Sequence, residues 1–185
     1  QLPSARGDGA PITSLVELEP GSRVDHAFAA PADAGVLFAT SGGYGLLCQA
    51  GDLTGRTRQG KGFVSLDEGD APLRPALFAP GMARVLCLSA EGKALVFALG
   101  EVKVLRNGGR GVILMGLDPK DSLRQAIVFG DAGVRILGAG RGGKAVDRVF
   151  GAAALEGWAG ARARKGRFLE PRVKDALLEL ARRPA

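Results

Sequence analysis

The sequence predicts an all-β, propeller-like protein of about three four-stranded units, open or broken rather than closed, with a short C-terminal helix. Three observations predict it. Glycine accounts for 29 of 185 residues, about 16% against roughly 7% in average usage. Its spacing is irregular, which excludes collagen and long helical bundles and fits a chain of many turns. A phrase of apolar residue, acid and turn recurs as Leu18-Glu19-Pro20, Leu66-Asp67-Glu68, Leu117-Asp118-Pro119 and Leu169-Glu170-Pro171, at intervals of 48, 51 and 52 residues. Between these phrases lie apolar segments broken by glycine turns, over 36–50, 85–99 and 126–139, each of which reads as a β-hairpin.

Residues 1–11, rich in Pro, Gly and Ser, read as a linker. The repeat divides the remainder into units 12–62, 63–111 and 112–166, and a closing strand near 167–173 completes one domain over 12–173. Each unit holds about four short strands: one after a basic, glycine-rich element, one before the hairpin, and the hairpin's two. A single unit cannot bury both of its faces, so the units must pack side by side. Over 174–185 the apolar residues around Val173, Ala176, Leu177 and Leu180 fall at helical spacing, which predicts a helical tail.

Composition removes several classes. Hydrophobic residues at 46% and charged residues at 24% are ordinary for a globular protein. No run of 18 apolar residues exists, so no membrane span is expected. Gln1–Pro20 has no charged start followed by an apolar core, so no signal peptide is expected there. Cys48 and Cys87 both sit in apolar runs and read as buried free thiols of a reducing cytoplasm. The single histidine, His26, cannot build a metal site with two distant cysteines, nor a histidine-dependent triad.

The charge is uneven. The net charge is +6, yet residues 1–54 carry two basic and six acidic side chains, whereas 55–185 carry 23 basic and 13 acidic. Such asymmetry points to a polyanionic partner. The basic residues recur in glycine-rich elements, RQGKGFVSL (58–66), RNGGRGVILMGL (106–117) and RARKGRFL (162–169). Glycine lets backbone N–H groups approach a phosphate, and Arg or Lys in the same turn neutralises it and releases counterions. Repeating the element once per unit spaces the contacts along an arc that a duplex follows by bending. With only 10 aromatic residues there is no stripe for stacking single-stranded bases. Duplex DNA held through its backbone is therefore the expected partner. The contact residues expected are Arg56, Arg58, Lys61, Arg106, Arg110, Arg162, Arg164, Lys165 and Arg167, followed by Arg141, Lys144 and Arg148. No catalytic residue, metal ligand or cofactor site is expected.

Three motifs point elsewhere and fail on context. Gly138-Ala139-Gly140-Arg141-Gly142-Gly143 fits G-x-G-x-x-G but lacks the following helix, second strand and acid of a dinucleotide site. Gly138 with Gly143-Lys144-Ala145, and Gly55 with Gly60-Lys61-Gly62, lack the hydroxyl of a P-loop. Tyr44, the only tyrosine, stands in the turn Gly43-Tyr44-Gly45 with no activating neighbour in sequence, and a structural role is expected. Trp158 is expected to pack under a loop.

The stretches GYGLLCQAGDLTGRTRQGKGFVSLDEG (43–69), VLCLSAEGKALVFAL (85–99) and LEGWAGARARKGRFLEP (155–171) resemble the C-terminal domain of the topoisomerase IV A subunit, the relative of the gyrase A tail. The resemblance runs from about residue 12 to about 173. It implies a β-pinwheel, a disc of four-stranded blades with strands exchanged between neighbours, whose basic rim binds and bends DNA. It also implies that this fragment is non-catalytic. The catalytic tyrosine, the metal-binding carboxylates, and the use of ATP and Mg2+ would then belong to the rest of the A subunit and to the ATPase (B) subunit, in an A2B2 holoenzyme. The implied setting is the bacterial cytoplasm, on the nucleoid, in decatenation and supercoil relaxation. Two departures stand out. Family members often carry five or six blades, against three here. The nearest segment to gyrase's Q-R/K-R-G-G-R/K-G box is Leu105–Gly111, with Leu for Gln and Asn for the central basic residue, which argues against gyrase-like wrapping. The competing class is a propeller-like protein-interaction module, its acidic residues 17–33 facing another domain.

Overall fold

The apolar segments pair into three antiparallel sheets in a computed structural model that describes residues 9–55 and 57–181. Each sheet is built on a hairpin: β1 (Gly35–Ala39) with β2 (Tyr44–Gln49), β4 (Arg84–Ser89) with β5 (Lys93–Ala98), and β8 (Val134–Ala139) with β9 (Ala145–Phe150). The first strand of each hairpin takes a further neighbour. These are β3 (Ala76–Phe78) on β1, β7 (Leu123–Phe129) on β4 and β11 (Lys174–Leu180) on β8. The second strand takes a short one, β6 (Val112–Ile113) on β2 and β10 (Arg167–Phe168) on β5. Because β6 follows the second hairpin yet pairs with the first, and β10 follows the third yet pairs with the second, neighbouring sheets are tied by exchanged strands.

Burial explains which strands the sequence displays. In β4, Val85 and Cys87 face a core shared with the first sheet, and Leu86 and Leu88 face a core shared with the third. A strand buried on both faces needs apolar side chains at every position, hence the unbroken run VLCLS. The first core holds Leu37, Leu47, Phe97, Leu114 and Met115, and the second Phe129, Ile136, Leu155 and Leu169. A smaller cluster, Val36, Leu46 and Cys48 under Phe38, Leu53, Phe63 and Leu105, covers the far face of the first sheet. Burial pushes the Cys48 thiol up to about 11, helped by Asp52, and raises that of Cys87 as well, so both thiols are unreactive.

Two expectations are corrected. The segment 126–139 is not one hairpin: β7 belongs to the second sheet and β8 to the third, where β8 pairs with β9. An apolar–turn–apolar pattern marks a crossing between sheets as well as it marks a hairpin. The true partner, β9, carries Asp147 and Arg148 on a largely exposed strand and lacks an apolar run. The helical tail expected over 174–185 is also absent from its described part, where residues 174–180 form β11. Ala176 and Leu178 are buried at period two, whereas Leu177, on the opposite face, and Leu180, at the strand's end, are exposed. A register shift between Lys174 and Leu177 produced the helix-like spacing, and the ladder offered by β8 decides the conformation. Among the described residues the α-helix is one turn, α1 (Ala152–Leu155). The expected linker lies mostly outside the described residues.

Candidate nucleic-acid interface

Exchange of strands brings the basic elements to one end of the first two hairpins. Val112 pairs with Gly45 and Ile113 with Tyr44, at the start of β2. Arg167 pairs with Ala94 and Phe168 with Lys93, at the start of β5. Arg110 and Lys165 therefore lie beside the hairpin tips of the first and second sheets. The tip of the third sheet, Gly140–Lys144, carries its own cations, Arg141 and Lys144.

The repeated acid phrase has a mechanical role at these tips. Asp67 pairs with Arg110, and Asp118 pairs with Lys165 and, at 2.5 Å, with Lys93. These two phrases thus hold the basic element of the next repeat. Arg110 also stacks over the Tyr44 ring, 4.1 Å from its centroid, which gives the lone tyrosine a structural place. Hydrogen bonds from Lys165 and then Lys93 hold the Asp118 carboxyl down at about 2, and its bond to Asp118 raises Lys93 in turn.

A second acid, three residues on, caps the turn. Asp70 accepts from the Ser41 hydroxyl at 2.7 Å, Gly42 N–H at 2.6 Å and Ala71 N–H at 2.8 Å. Burial alone would raise its pKa, but these bonds outweigh burial and lower it. Asp121 accepts from Glu91 N–H at 3.0 Å and Ser122 N–H at 2.9 Å. Neither cap is among the residues expected from sequence, although the D-x-x-D spacing at 67/70 and 118/121 displays them. The fourth phrase continues as Glu170-Pro171-Arg172-Val173, so the third tip has no second acid.

The expected contact residues divide by what already holds them. Arg106, Arg164, Arg141 and Lys144 are exposed and make no ion pair among the described residues. Arg110 and Lys165 are exposed but ion-paired. Others bond the protein's own carbonyls: Arg58 to Ser14 at 2.6 Å, Lys61 to Asp52, Arg167 to Ala159 at 3.3 Å, and half-buried Arg162 to Ile113 at 2.5 Å. Arg148 is exposed on β9, 5.7 Å from the Phe150 ring centroid. Arg56 lies outside the described residues. Arg172, 3.7 Å over the Phe168 ring, and Lys174 line a cleft of about 980 Å³ with Arg141. Neither Arg172 nor Lys174 is expected from sequence, because neither stands in a basic-glycine element.

The motifs that pointed elsewhere resolve into the same hairpins. Gly138 lies in β8, and residues 141–143 form the turn into β9, so a strand stands where a nucleotide-binding helix would start. Trp158 packs edge-on against Phe150 and donates its Nε1–H to Phe168 O at 3.0 Å. Among the described residues no group of three His, Cys, Asp or Glu converges as a metal site, and no helix is long and apolar enough to cross a membrane.

Comparison with known proteins gives one family. The model of the DNA gyrase C-terminal domain, a β-propeller, matches residues 36–71 and 83–129. The DNA topoisomerase 4 A subunit of Neisseria gonorrhoeae is 30% identical over 174 residues, covering 91% of this chain and 22% of that protein. Its counterpart from Escherichia coli K12 is 35% identical over 107 residues, covering 58% and 14%. The chain thus spans less than a quarter of the length of these relatives. Among solved structures, the E. coli ParC C-terminal domain superposes with a TM-score of 0.80 at 26% identity, over 96% of this chain and 74% of that one. A DNA gyrase A C-terminal domain superposes at 0.65 and 18% identity, over 85% and 51%, a likeness of fold.

Proposed function

The chain belongs to the C-terminal β-pinwheel family of the gyrase and topoisomerase IV A subunits, and on that premise we propose that it binds and bends duplex DNA for a type IIA topoisomerase. The observation that carries this reading is the shared rim. All three hairpin tips carry cations at the same end of their sheets, as Arg110, as Lys165 and Arg164, and as Arg141 and Lys144. Sheets packed face to face stand roughly 10 Å apart, so three tips span about 20 Å, less than one turn of B-DNA. Cations at that spacing follow one stretch of phosphates and leave the base edges unread. Arg110 and Lys165 are half neutralised by their aspartates, which orient them, while the unpaired cations supply most of the attraction.

In the intact enzyme this domain would present a second duplex to a cleavage site housed elsewhere in the same polypeptide, with ATP and Mg2+ handled there and by the ATPase subunit. Decatenation and relaxation of supercoils on the bacterial nucleoid are the matching activities. The departure of Leu105–Gly111 from the gyrase box favours this reading over chiral wrapping. A duplex labelled at both ends tests it: energy transfer should rise when the chain binds. The chain alone should neither cleave DNA nor hydrolyse ATP. In the intact enzyme, Arg141→Ala with Lys144→Ala and Arg164→Ala should slow strand passage and spare cleavage. Binding with no change in end-to-end distance would reject the bending role.

A further inference from the structure

The three hairpin tips share one turn and differ in what caps it. A glycine closes each turn by donating back across it, Gly43 to Thr40 O at 2.9 Å, Gly92 to Ser89 O at 3.0 Å and Gly143 to Gly140 O at 3.1 Å. All three glycines have positive φ, 86°, 85° and 77°. The residues just before them, Gly42, Glu91 and Gly142, are therefore equivalent. Gly42 N–H donates to Asp70 at 2.6 Å and Glu91 N–H to Asp121 at 3.0 Å. Gly142 N–H meets no acceptor among the described residues.

The cause lies in the third acid phrase, which the chain carries in full. Asp70 and Asp121 stand four residues after Leu66 and Leu117. Four residues after Leu169 stands Val173, packed into the second core at 8% exposure. A Cβ on Gly42 would stand 3.0 Å from the Asp70 carboxylate, whereas nothing lies within 4 Å of one on Gly142. Gly142 faces instead the cleft of about 980 Å³ between the second and third tips. Arg141, Arg172 and Lys174 line that cleft, exposed and without an ion pair among the described residues. Its two acids are engaged, Glu91 with Lys93 at 2.9 Å and Asp175 with Arg124 at 3.5 Å.

We propose that the third tip is a phosphate seat: a phosphate from outside takes the place that Asp70 and Asp121 fill at the other two tips. It accepts from Gly142 N–H and is neutralised by Arg141, Arg172 and Lys174. A glycine turn that presents its N–H is an anion nest, and the first two tips show that an oxyanion fits this turn. Replacing a built-in acid by three cations reverses the charge of the site, and Arg or Lys on a phosphate makes the stronger, charge-assisted hydrogen bonds. The cleft opens on the rim assigned above to DNA, so the source of the phosphate rests on that reading: a backbone phosphodiester of the duplex. The rim is then unequal. Two tips are capped by the chain's own carboxylates, and the third anchors the duplex.

NMR of the nitrogen-labelled whole chain tests the proposal, titrated separately with inorganic phosphate and with a short duplex of unrelated sequence. Each should move the Gly142 amide resonance saturably and leave those of Gly42 and Glu91 in place, the duplex acting at much lower concentration. Arg172→Gln with Lys174→Gln, two exposed positions, should abolish the Gly142 shift. The same pair should weaken duplex binding by at least about tenfold and flatten its salt slope by roughly one to two units. A duplex that binds with Gly142 unmoved, or that moves all three amides alike, would overturn the seat and leave the DNA reading standing. A Gly142 shift with inorganic phosphate but no binding of the duplex would keep the seat, for a free phosphate, and reject the DNA reading.

Discussion

The second and third sheets rest on equivalent hairpins but differ in how much of each is fixed from outside. The second is buried on both faces, and its tip is held by Asp118 and Asp121. The third is buried on one face. Its other face bears Val149 at 62% exposure, Leu177 at 46%, and Arg135 between Asp147 and Glu179 at 2.6 and 3.4 Å. Among the described residues its tip has no capping acid, and its second strand pairs only with β8. The difference teaches that the repeat carries two separable instructions: apolar alternation builds each blade, and the paired acids fix its tip.

Core substitutions give the largest contrast. Leu86→Ala, in the doubly buried strand, should cost about 2–5 kcal/mol in urea denaturation. Leu177→Ala on the open face should stay within about 0.5 kcal/mol. Equal costs would mean that the open face is covered in solution. The caps come next. Asp70→Ala and Asp121→Ala should each cost about 1.5–3 kcal/mol, the range for hydrogen bonds to a charged acceptor. Their tips should also lose amide protection towards the level of residues 140–144, as hydrogen exchange would show.

The smallest effect is the pH dependence of the ion pairs. The Asp118 carboxyl is held below its unfolded value, so its contribution is full above about pH 4. That contribution is lost as pH falls from there through about 2. Asp118→Asn should flatten that part of the curve of melting temperature against pH. Asp147, lowered by its hydrogen bond to Arg135, responds in the same direction. If Asp118→Asn leaves the acid limb unchanged, the tip pair does not act in solution.

How much the sequence displayed is explained by the same contrast. The β1–β2 and β4–β5 hairpins were legible because burial demands continuous apolar runs there. The β8–β9 hairpin was displaced because β9 spends its side chains on solvent and on Arg135. Strand β11 was read as a helix because a bulge reproduces helical spacing. The basic elements were legible as places, since glycine and charge recur together. Their individual roles were not: whether an arginine reaches outward, as Arg164 does, or back to a carbonyl, as Arg162 does, depends on strands exchanged over about 50 residues. Asp70 and Asp121 escaped because an acid in a turn looks the same whether solvated or capping.

The central claim, that one rim of tip cations holds the DNA backbone, is tested most directly by fluorescence anisotropy of unrelated duplexes titrated across salt. Log affinity should fall linearly with log salt, with a slope of about −0.9 for each phosphate neutralised. Arg141→Ala with Lys144→Ala should lower affinity equally for every sequence and flatten that slope by roughly one to two units. Arg84→Gln, at the opposite end of β4 and paired with Glu156, should leave both unchanged. A slope that Arg84→Gln flattens as much as the tip pair does would contradict the account, because the charge would then act over the whole surface and not along one rim.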